Sequence, residues 1–108
     1  MASYQNIVQL FVLFLSRDAQ LLSEIEAFAG ECAIKNTEWH FTLPVLHEFI
    51  QVKDAGFSEM DYPAFRHLIF NNPINQDLAK QGGEVVIAEN HHKVDQSVYA
   101  VRKINQSS

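Results

Sequence analysis

The sequence predicts a single α+β domain, mostly helical, that closes with a C-terminal antiparallel β-hairpin. Three observations carry this reading. The chain has 108 residues, room for one core. Apolar residues recur at three- and four-residue spacing through much of its first three quarters, as in Leu21, Leu22, Ile25 and Phe28. The last quarter changes character: Glu84–Ala88 and Ser97–Val101 are β-rich runs separated by a polar stretch, 89–96.

The first element spans about Ser3–Leu15. Its apolar residues Ile7, Val8, Leu10, Phe11, Val12, Leu13, Phe14 and Leu15 lie almost all round a helix. A small domain rarely surrounds a helix completely, so this segment is expected to form a homodimer contact through residues 3–15. A short apolar run also fits a strand, and periodicity alone does not decide between them. Asp18 suits the N-cap of a second helix, although no strong breaker at 16–18 forbids one continuous helix. Gly30 weakens or ends that helix, with Ala33 its latest plausible end.

Thr37–Phe41 alternates polar and aromatic residues, as a half-buried strand does. Trp39 and Phe41 then share one face, either on the core or with Trp39 in an exposed contact patch. Pro44 opens a helix to about Val52, capped by Thr42 or Leu43. Ser58 and Asp61 resemble a capping box, but Pro63 disfavours helical geometry at Tyr62, so the next helix is expected over Pro63–Phe70. Asn71-Asn72-Pro73 breaks it, Ile74–Gln81 forms two further turns, and Gly82-Gly83 stops those. The plan is one domain: 1–17 an apolar helix, 18–103 the core, 104–108 a tail.

Apolar residues make up 47% of the chain and charged residues 19%, enough to bury a core and exclude a disordered chain. The net charge of −5 is uneven. Residues 1–57 hold three basic and seven acidic residues, a balance of −4. Bulk acidity gives no long-range attraction to phosphate, so any nucleic-acid site must be argued from local cations. The single cysteine, Cys32, excludes an internal disulfide and reads as a buried packing residue. Ile7–Leu15 is too short to cross a bilayer and lacks the basic flank of a signal peptide, so the expectation is a cytoplasmic protein with no membrane contact.

The order helix, short strand, helix, turn, helix, hairpin over residues 18–103 resembles a winged helix-turn-helix domain. The resemblance lies in element order, without a diagnostic motif. It implies a small DNA-binding transcriptional regulator, with Pro63–Phe70 as recognition helix and the hairpin loop as wing. The short helix Ile74–Gln81 departs from the minimal pattern, and would displace the wing or itself be the reading helix. The residues that would then meet double-stranded DNA are Arg66, His67 and Asn71 around the recognition helix, His92 and Lys93 on the wing, and Arg102 at the strand end; His91, Lys103, Asn72 and Asn75 are secondary candidates. Glu59 and Asp61 at the start of that helix would repel phosphates. The competing reading is an acidic protein-interaction module: an adaptor, an inhibitor or an accessory protein of a mobile element.

Other chemistry is weakly signalled. His91-His92 lacks the further spaced ligands that zinc requires. No signature surrounds Cys32, and nothing in the sequence brings it to His40 or His47 as nucleophile and base. Glu24 and Glu26 point apart on a helix, and no Gly-rich phosphate loop is present. The sequence is therefore read as a non-enzyme without cofactor or metal.

Overall fold

The computed structural model describes residues 3–28, 33–35 and 37–104. Its elements are α1 (Tyr4–Leu15), α2 (Ala19–Ala27), β1 (Ala33–Lys35), β2 (Glu38–Phe41), α3 (Leu43–Lys53), a 3₁₀ turn (Ala55–Phe57), α4 (Tyr62–Phe70), α5 (Ile74–Ala79), β3 (Gly83–Glu89) and β4 (Val98–Lys103). The strands form one antiparallel sheet in the order β1-β2-β4-β3. The α+β class, mostly helical with a closing hairpin, is as the sequence predicts.

The apolar run at the N-terminus is a helix, and the chain itself covers most of it. Ile7, Val8, Leu10, Phe11, Phe14 and Leu15 are all buried, leaving Leu13 exposed. The all-round apolarity read as a dimer contact through residues 3–15 is thus largely met inside one chain. α1 and α2 are separate helices, not one. Arg17 turns left-handed at φ 61°, the Asp18 N–H reaches back to the Leu13 carbonyl, and the Arg17 N–H to that of Phe14. This is the Schellman closure, here built on an arginine instead of a glycine. The Asp18 carboxylate then caps α2 by accepting from the Leu21 N–H at 2.9 Å.

β2 places Trp39 and Phe41 on one face, and both are buried, so Trp39 belongs to the core and not to an exposed patch. Register pairs Trp39 with Val101 and Phe41 with Tyr99, and Val85 and Ile87 continue the same face on β3. α1 and α3 lie over it: the Trp39 ring meets Phe11, Phe14, Phe41 and Phe49 at centroid distances of 5.4–5.8 Å.

Several boundaries differ from expectation; α5 stops at Ala79 instead of Gln81, and most other elements shift by a residue or more at one end or both. α4 takes in Tyr62, because Asp61 caps it by accepting from the Ala64 N–H, and Pro63 falls in the first turn where a missing N–H costs nothing. α2 ends at Ala27, and Ala33–Lys35 forms a strand on β2 that three residues were too few to signal. β4 runs on to Lys103. The readings of Gly30, Cys32 and residues 105–108 fall outside the described residues. No helix among the described residues is long and apolar enough to cross a membrane.

Candidate interaction surface

α4 buries Phe65 against Phe57 and the ring of His47. His47 Nε2 donates to the Met60 carbonyl at 2.7 Å, so this histidine is a satisfied packing residue. With Phe65 inward, helical geometry turns Pro63, Arg66, His67 and Phe70 outward. His67 and Asn71 form a pair across one turn, the Asn71 amide lying 3.0 Å from His67 Nδ1 and donating to the His67 carbonyl.

The β3–β4 loop, residues 90–97, is a built turn. Ser97 is buried; its hydroxyl accepts from the His91 N–H and donates to the Lys93 carbonyl. Asn90 accepts from the His92 N–H, and His92 adopts φ 63°. The loop leans onto α4. The Tyr62 hydroxyl donates to Asp95 at 2.5 Å, Arg66 approaches the same carboxylate at 3.7 Å, and Val94 closes a shallow groove with Pro63, Arg66, His67, Phe70 and Asn71. Burial first, and then the bonded Asp95 carboxylate, push the Tyr62 phenol well above its ordinary value. Tyr99, whose hydroxyl donates toward the Val94 carbonyl, is raised too, by burial first and then by the nearby charge of Asp95.

Five of the six residues singled out from the sequence therefore fall on two neighbouring pieces of the chain: Arg66 and His67 on α4 with Asn71 as its C-cap, and His92 and Lys93 in the loop whose Val94 and Asp95 touch that helix. Arg102 does not join them. It sits four residues along β4 from Val98, roughly 13 Å at a strand's rise, and binds Glu84 across the hairpin at 2.8 Å. Lys103 lies one residue further on.

Several of the cations are held by carboxylates. Arg66 pairs with Asp95, Arg102 with Glu84, Lys53 with Glu24 at 2.6 Å and Lys80 with Asp77 at 3.8 Å. Glu59 and Asp61 precede the start of α4 and are exposed, and the exposed Glu89 ends β3, 3.5 Å from His91 Nε2. Among the described residues no three His, Cys, Asp or Glu converge as metal ligands.

The surface has a second, apolar part that the sequence reading did not single out. A groove of about 540 Å³ opens between α4–α5 and β3. Phe11, Phe41, Leu43 and Leu46 of the core form its floor, and Ile69, Phe70, Ile74, Val85 and Ile87 its walls. Phe70 and Ile87 stand 53% and 57% exposed at the rim. At the foot of the groove the Asn75 side chain accepts from the Val85 N–H at 2.7 Å and donates to the Val85 carbonyl at 3.1 Å, filling one position on the outer edge of β3. No local pattern marks this groove: Val85 and Ile87 lie on the core face of β3, and Ile87 is open only because of where the helices stop. Compared with known proteins, the chain matches no family model, no curated protein and no solved structure.

Proposed function

We propose that this chain is a non-catalytic, cytoplasmic protein-interaction domain that docks a partner in the groove between α4–α5 and β3. The observation that carries the reading is the pair Phe70 and Ile87, more than half exposed on either side of a cleft whose floor is the core itself. Large apolar side chains held at the rim of a concave apolar surface are what a partner's anchor residue fills. The electrostatics run the same way. Exposed acidic residues outnumber unpaired cations around α4, which suits a protein ligand better than a phosphate backbone. Phe70→Asp and Ile87→Asp test it. Immobilised protein is expected to retain a host protein that is also retained by the remote variant Glu48→Gln and lost by both rim variants, with circular dichroism unchanged. Retention by both rim variants, or no retained protein at all, overturns the reading.

One observation favours a second reading, a winged-helix DNA-binding regulator. The hairpin follows a helix pair, and β4 inserts between β2 and β3, the arrangement expected of a sheet that carries a wing. Duplex DNA would then meet Arg66, His67, Asn71, His92 and Lys93, in a homodimer for which α1 still offers Gln5, Gln9 and Leu13. Salt-dependent, sequence-selective binding by the wild-type chain, and a particle of twice 12.3 kDa in light scattering, are its expected results.

A further inference from the structure

We propose that the 90–97 loop is a displaceable latch: Asp95 occupies, from within the chain, an anion-binding pair on α4 formed by the Tyr62 hydroxyl and the Arg66 guanidinium, and a phosphate of duplex DNA takes its place when the loop lifts. The proposal rests on the second, DNA-binding reading and not on the partner at the apolar groove.

The geometry supplies the parts. Tyr62 and Asp95 are 33 residues apart in sequence, and their side chains meet at 2.5 Å. Tyr62 and Arg66 are one helical turn apart, so hydroxyl and guanidinium present donors on one stripe of α4. Both converge on one carboxylate oxygen, Asp95 Oδ1. A phosphodiester oxygen carries the same charge and accepts the same bonds. The site is reachable, since Arg66 and Asp95 side chains are 48% and 47% exposed. At that exposure an ion pair holds weakly, so the latch yields to a competing anion.

The loop can lift as a unit. Its internal bonds, from Ser97 to His91 and Lys93 and from Asn90 to His92, need nothing from α4. Lys93 lies two residues from Asp95 and rides with it. Lifting the loop therefore exposes Arg66, removes the carboxylate that neutralises it, and leaves His67 and Asn71 open on the neighbouring turn. With the latch shut, the chain offers a phosphate backbone no unopposed cation on α4.

The test is the anisotropy of labelled duplex DNA at about 50 mM and about 200 mM salt, with wild type, Asp95→Asn, Glu89→Gln and Asp95→Asn/Arg66→Ala. Glu89→Gln removes the same charge from the same hairpin without touching α4. Asp95→Asn is expected to bind about tenfold tighter than wild type at the lower salt, Glu89→Gln within about twofold, and the double variant no tighter than wild type. Hydrogen exchange across 90–97 should quicken in Asp95→Asn, and also in Tyr62→Phe, which loosens the latch from the other side if Asp95→Asn folds poorly. An Asp95→Asn affinity equal to that of Glu89→Gln, or a gain that survives Arg66→Ala, overturns the latch. Neither result bears on groove docking, which is read from Phe70 and Ile87.

Discussion

Trp39 is the largest fully buried side chain among the described residues, and four phenylalanine rings surround it. Truncation to alanine removes those contacts and leaves a cavity, a loss of about 3–5 kcal/mol. Trp39→Ala should therefore lose cooperative thermal unfolding, followed by circular dichroism. Gly83 illustrates the opposite constraint. A Cβ there would sit 2.2 Å from Leu15 Cδ1 and 3.2 Å from Leu78 Cγ, both on buried side chains. Gly83→Ala should cost about 1–3 kcal/mol by overpacking, read as a lower urea midpoint. Tyr62 gives a pH prediction. Its phenol stays protonated beyond the ordinary value of 10.0, through burial first and Asp95 second. The unfolded chain loses this proton near pH 10 while the native chain keeps it. The contribution to stability is thus complete below about pH 10 and declines as the pH rises above it. Urea midpoints between about pH 8 and about pH 11 should fall, and fall less steeply in Tyr62→Phe. At this scale Trp39 was half legible, since polar–aromatic alternation put it on a face without saying which. Asp95 was not, because its contact to α4 spans a separation that no local pattern encodes.

Among the elements, those with strong local chemistry were read well. Pro44 sits in the first turn of α3, and Gly82, at φ 80°, ends the segment after α5. Asp18 caps α2 as expected, whereas the capping of α4 falls to Asp61 alone. Each cap satisfies a helix N–H that otherwise has no partner, so Asp18→Ala and Asp61→Ala should each cost about 1 kcal/mol in chemical denaturation. Asp18 marked where α2 begins, but the left-handed turn that closes α1 escaped the sequence because it rests on Arg17, which no propensity marks as a helix stop. Tertiary contacts hold it there: its guanidinium donates to the Thr37 carbonyl at 3.1 Å and lies 5.1 Å from the Phe14 ring centroid. β1 escaped for a different reason. Its three residues are a strand only because β2 offers an edge to pair with.

For the molecule as a whole, the fold was more legible than the surface. Hydrophobic period and turn residues specify which elements form, and the β-rich runs at 84–88 and 97–101 did mark the hairpin. The groove depends instead on how α4–α5 and β3 meet, and on where burial stops at Phe70 and Ile87. Because both already face water, Phe70→Ser and Ile87→Thr should shift stability by no more than about 0.5 kcal/mol. Docking and folding are thus separable by mutation, and a thermal melt beside a binding assay shows it.

The Asn75 amide on the outer edge of β3 has a consequence for behaviour at high concentration. A sheet that ends in an open edge invites lengthening by a neighbour's backbone, and here one side chain stands where that neighbour's first peptide would go. Any copy that tries to extend the sheet must first evict it. Asn75→Ala should therefore shorten the lag before fibrils form under agitation, even under conditions where most of the protein stays native.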